Sequence, residues 1–148
     1  MRQTRRRIVG LLGAAAAAAM FPFRVIAAQW NEKAFDETEF PASLKSVGAI
    51  NLIETDQIEL KTPEIAENGA IVPIEVTSKI PNTERVFVFA EKNPQPLVAT
   101  YTFLKNVAPF FAMRIKMGES AKVHVVVLAD GKHYTVANEV KVTIGGCD

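Results

Sequence analysis

The sequence predicts a mainly β chain: an immunoglobulin-like β-sandwich with short N-terminal helices before it and a flexible C-terminal arm after it. Apolar residues alternate with polar ones from Asp56 onward, turn signals cut that alternation into short runs, and no helical pattern is interleaved between the runs. The last observation excludes Rossmann and barrel architectures, whose parallel strands need a helix between each pair.

The first segment is of a different kind. Thr4-Arg5-Arg6-Arg7-Ile8-Val9-Gly10 places an arginine pair after a hydroxyl residue, Leu11 to Met20 is a short alanine-dominated apolar run, and Val25-Ile26-Ala27-Ala28 offers small residues to a peptidase. This is the pattern of a twin-arginine secretory signal, expected to span residues 1–28 and to be removed. Pro22 and Arg24 interrupt the apolar run, which falls short of the ~20 clean residues a membrane span needs. The expectation is therefore a periplasmic protein with no membrane attachment after cleavage, and a sandwich domain over 29–144.

Within that domain, Asn31 caps a first helix whose Trp30, Ala34 and Phe35 share a face. Pro41 divides this region from a second short helix carrying Leu44 and Val47 and ending at Gly48. Ile58 and Leu60 then alternate with Glu59 and Lys61, and Val72, Ile74 and Val76 with Glu75 and Thr77. Val86 to Ala90 is almost continuously apolar. Leu97, Ala99, Tyr101 and Phe103 alternate, as do Phe111, Met113, Ile115 and Met117, before the run Val123 to Leu128. Tyr134 and Val136 form a short run after the Asp130-Gly131 turn, and Val140, Val142 and Ile144 make the last strand. Val86 to Ala90 and the pair Phe110-Phe111 are candidate contacts for a partner, with burial in the domain's own core the simpler account of each.

Composition limits the chemistry. The 148 residues include one cysteine and two histidines, so neither a zinc site nor haem or iron–sulfur attachment can be assembled with ordinary ligand spacing. No metal and no cofactor are expected. The leader holds the only block of like charge, and no basic stripe points to nucleic acid. There is no glycine-rich phosphate loop and no serine in a nucleophile-elbow context. His124 lies on the sheet face opposite Val123 and Val125, His133 follows a hairpin turn, and Glu64 and Glu67 sit in loops; all four read as ordinary surface or sheet-face residues. No catalytic residue is expected, and the protein is expected not to be an enzyme.

Cys147 stands apart because the end of a chain is the segment least able to bury a thiol. Gly145 and Gly146 precede it as a hinge, so residues 145–148 read as an arm with which the sulfur can reach roughly 10 Å from the body. An unpaired cysteine in an oxidising compartment implies intermolecular pairing or a reactive thiol. Asp148 and the terminal carboxylate disfavour ionisation and are expected to raise the thiol pKa, leaving it accessible but sluggish until a cationic pocket receives it. A covalent carrier and an exported structural subunit tethered by an intermolecular disulfide both remain open on these residues. A thiol–disulfide oxidoreductase lacks its resolving cysteine.

Several segments together resemble SoxY, the sulfur-carrier subunit of the bacterial thiosulfate-oxidising Sox system. They are Trp30-Asn31, Pro63 to Ala70 with Val72 to Val76, Glu91 to Pro94 through Pro96 to Thr100, Arg114 to Gly118, and Val140 to Cys147, of which the Gly-Gly-Cys end is the most specific. The resemblance implies an immunoglobulin-like subunit that pairs with a SoxZ-like sandwich subunit in a SoxYZ heterodimer and carries sulfur intermediates covalently on Cys147. It implies a SoxAX-like haem protein that joins thiosulfate to the thiol oxidatively. It also implies a SoxB-like manganese hydrolase that releases sulfate and, in some members, a sulfur dehydrogenase. The family pattern continues Gly-Gly after the cysteine, whereas here Asp148 follows it.

Overall fold

The computed structural model describes residues 31–143, which form two short helices and nine strands. The expected leader at 1–28, Trp30, Ile144 and the arm at 145–148 lie outside the described residues. Helix α1 spans Glu32–Asp36 and is capped as expected: the Asn31 side chain accepts the Ala34 N–H at 3.3 Å. The same side chain donates to the Ser46 carbonyl at 3.0 Å, tying α1 to α2, Phe40–Ser46. Pro41 sits in the first turn of α2, where its missing N–H leaves no helical bond unmade.

The strands are β1 (Leu52–Glu54), β2 (Ile58–Lys61), β3 (Ile65–Ala66), β4 (Val72–Ser78), β5 (Thr83–Ala90), β6 (Leu97–Thr102), β7 (Phe110–Ile115), β8 (Ala121–Ala129) and β9 (Lys132–Val142). They make a β-sandwich. The larger sheet runs β1-β9-β8-β5-β6 with β3 also on β9, and the smaller runs β2-β4-β7. Asp130 and Gly131 adopt φ of 49° and 72°, the left-handed pair that a two-residue hairpin between β8 and β9 requires.

Val86, Val88, Val123, Val125 and Val140 of the larger sheet are buried against Val72, Ile74, Val76 and Ile115 of the smaller. The opposite face of the larger sheet carries Phe87, Phe89 and Val126, which pack with Ala34, Phe35, Phe40 and Leu44 of the helices. Covered on both faces, β5 has no polar side to present, which is why Val86 to Ala90 reads as unbroken apolar sequence. That run belongs to the core; of the pair Phe110-Phe111, Phe111 is buried and stacks on Tyr101 at 4.0 Å, while Phe110 is exposed.

Three features depart from the periodic reading. A register shift between Val88 and Phe89 in the β5–β6 pairing breaks the alternation of β6, so Leu97 packs with the helices while Ala99 and Tyr101 face the inter-sheet core. Strand β9 is a single run of 11 residues rather than two short strands. The polar stretch between its apolar ends stays in the sheet through unbroken pairing with β8, and Asn138 Nδ2 donates across the sandwich to the Leu60 carbonyl at 2.8 Å and to Thr62 Oγ1 at 3.3 Å. Finally, β1 and β3 pair in parallel with the outer edge of β9, although every residue of β1 is exposed and shows no alternation.

Candidate functional site at the base of the C-terminal segment

Gly145, Gly146 and Cys147 lie outside the described residues; the residues that anchor the segment bearing them do not. Strand β9 ends at Val142, at the end of the sandwich where β4 begins and β7 finishes. Its last residues are held on both edges. On the β3 side, the Lys141 N–H donates to the Glu64 carbonyl at 2.9 Å and the Thr143 N–H to the Ala66 carbonyl at 3.0 Å. On the β8 side the strand ladder has stopped at Ala121, and the Ser120 hydroxyl takes its place. Ser120 Oγ accepts the Val142 N–H at 2.8 Å and donates to the Val142 carbonyl at 3.4 Å.

Gly69 closes the arrangement from a third direction. A Cβ built on it would run into the Met117 carbonyl oxygen and lie 2.8 Å from Val142 Cγ1, so only glycine lets these backbones approach. The Gly69 carbonyl accepts the Met117 N–H at 2.7 Å, and the loop that follows is tied by Asn93. Its Nδ2 donates to the Lys116 carbonyl at 2.7 Å and its Oδ1 accepts the Gly118 N–H at 3.2 Å. The Glu64 to Gly69 loop, the Asn93 loop and the Met117 to Ser120 loop thus converge on one strand end. Charges beside them are exposed and of both signs, as in the Lys92–Glu119 pair at 3.7 Å.

Both histidines lie in the sheet, and neither bonds to the anchoring residues of this end. His124 is largely buried on the helix-facing side of β8, its Nε2 3.3 Å from Glu91 Oε2 and its ring tilted against Phe40 with centroids 4.5 Å apart. His133 pairs with Leu52 in β1, and burial pushes its pKa below the ordinary histidine value. Glu64 contributes its backbone carbonyl to the anchor, and its side chain is in the exposed loop the sequence suggested. Among the described residues, no group of three His, Cys, Asp or Glu side chains could hold a metal ion, and no helix is long and apolar enough to cross a membrane. Sequence reasoning missed Ser120, Gly69 and Ala66. Their only signals were the turn composition around Gly118 and the glycine at 69.

A comparison with curated proteins found no match. A family profile described as "Sulfur oxidation protein SoxY" matches residues 44–147, a span that takes in β1 to β9, the anchoring residues and Cys147. Among solved structures, the sulfur carrier protein SoxY from Chlorobium limicola f thiosulfatophilum is 38% identical over 70% of this chain and 94% of that one, with a TM-score of 0.64. A superoxide reductase (neelaredoxin) from Ignicoccus hospitalis shares the fold only, at 12% identity over 62% of this chain and 94% of that one, with a TM-score of 0.51. The length of the profile match and the identity to a solved carrier agree with the segments that resemble the family, and the chain belongs to the SoxY family of sulfur oxidation proteins.

Proposed function

We propose that this chain is a periplasmic sulfur carrier, exported by the twin-arginine route with residues 1–28 removed, that holds thiosulfate-derived intermediates covalently on Cys147. The observation that carries the reading is the family match running through Cys147 itself, from a sandwich whose final strand is anchored up to Thr143. Gly145 and Gly146 act as the hinge. The protein performs no turnover alone; partner enzymes act on its thiol.

The chemistry this asks of the thiol is limited. The Cys147 thiolate and thiosulfate form a sulfur–sulfur bond and release two electrons, which the haem-bearing SoxAX-like partner accepts. Water then attacks the terminal sulfonate sulfur: sulfate and two protons leave, and a persulfide remains on Cys147. The manganese of a SoxB-like hydrolase serves that second step, and a sulfur dehydrogenase oxidises the persulfide where one is present. A SoxZ-like subunit completes the carrier. Edge strands β6 and β7, uncovered among the described residues, with Leu104, Val107 and Phe110 exposed near them, support such a pairing.

The test is the intact mass of the mature protein purified from cells supplied with thiosulfate. Sulfane or sulfonate additions on the C-terminal peptide, absent from Cys147→Ser, are the expected result. An unmodified peptide during active thiosulfate oxidation refutes the carrier role. Loss of the subunit assembly in Cys147→Ser, without loss of sulfur turnover, would instead indicate a disulfide tether.

A further inference from the structure

We infer that Ser120 is a positioning residue for sulfur transfer: its hydroxyl fixes the strand end at Val142, five residues before Cys147. This rests on the carrier reading above. The hydroxyl bonds both backbone polar groups of Val142, the N–H at 2.8 Å and the carbonyl at 3.4 Å, on the edge where β8 no longer supplies a partner. The opposite edge depends on β3, a strand of two residues. Ser120 is therefore the one side chain among the described residues that extends the β8 edge of the ladder to Val142.

The consequence is a limit on reach. With Thr143 fixed, the sulfur of Cys147 is four residues away and, at ~3.6 Å per residue, within about 14 Å of the anchor. Beyond Ser120, the nearest position held firmly from the β8 side is Val140, fully buried and paired with Ala121. Where the Lys141 and Thr143 bonds to the Glu64 and Ala66 carbonyls open as well, release back to Val140 makes the tether seven residues and about 25 Å. Effective concentration at a docked active site falls with about the −3/2 power of tether length, so this change costs roughly twofold. The orientation of the strand end is lost as well.

The test uses the mature chain with its partner subunit, loaded with thiosulfate by the haem partner enzyme. Ser120→Ala is expected to speed amide hydrogen exchange at Val142 by about tenfold, the effect of one hydrogen bond. It should lower kcat for loading measurably, by up to about twofold, at unchanged KM for the carrier. Alkylation of Cys147 by iodoacetamide should keep its wild-type rate, because the thiol is untouched. Ser120→Thr, which keeps the hydroxyl, should restore both exchange and kcat; a merely destabilising site would not separate kcat from KM in this way. Unchanged kcat in Ser120→Ala with a loaded wild type overturns the inference alone. A wild-type chain that takes up no sulfur overturns the carrier reading and this inference with it.

Discussion

Replacing Asn138 tests whether one side chain closes the sandwich along its β2–β9 side. In the folded chain Nδ2 donates to the Leu60 carbonyl at 2.8 Å and to Thr62 Oγ1 at 3.3 Å, 78 and 76 residues away in sequence. Each such bond contributes about 1 kcal/mol net, so Asn138→Ala should cost about 2 kcal/mol. At a urea m-value of about 2 kcal/mol/M, that lowers the midpoint by about 1 M. The melting temperature should fall by about 8 °C. Asn138→Asp should cost more than the alanine variant, because a carboxylate has no donor to offer and faces a carbonyl oxygen. Glu139→Ala, at the exposed neighbouring position, is the control and should stay within ~0.5 kcal/mol of wild type. Urea unfolding followed by circular dichroism reads all three. A loss below ~0.5 kcal/mol in Asn138→Ala, or an aspartate variant more stable than the alanine one, refutes the reasoning.

Two other perturbations address the strand end and the histidine. Gly69→Ala should destabilise by about 1–3 kcal/mol, because the new methyl meets the Met117 backbone carbonyl, which cannot swing aside as a side chain can, and Val142 Cγ1 at 2.8 Å. A thermal melt equal to wild type would show that the three loops are not packed as tightly as this. For His133, burial lowers the folded-state pKa, so the unfolded chain takes up a proton first as pH falls. The stability of the neutral ring is complete above about pH 6.5 and is lost as pH drops through the folded-state value. Urea midpoints of the wild type should therefore decline between about pH 7 and pH 5, and His133→Gln should flatten that decline. Superimposable pH profiles for the two proteins would refute it.

Most strands were legible because the alternation of β4 and β7, and the continuous apolar run of β5, report directly which faces are covered. The cap at Asn31 and the hairpin at Asp130-Gly131 were legible for a local reason as well: each depends on residues within three positions of one another. The candidate site was legible in part. The segments that resemble the SoxY family, Gly-Gly-Cys among them, fall largely within the matched span 44–147. The anchoring of Val142 by Ser120, of Thr143 by Ala66, and the close approach of Gly69 were not legible, since contacts between distant residues leave no period behind.

The amino-acid sequence by itself therefore determined the two-residue repeat, the caps and turns, and the family, all of which are written in neighbouring residues or in short contiguous motifs. Only the tertiary structure decided that helices cover the outer face of β5 and β8, that β9 runs unbroken through Asn138, and that the strand end is clamped from three sides. The physical reason is separation along the chain. The Ser120 bond to Val142 spans 22 residues and the Asn138 bond to Leu60 spans 78, so the partners acquire meaning only when folding brings them to 2.8 Å.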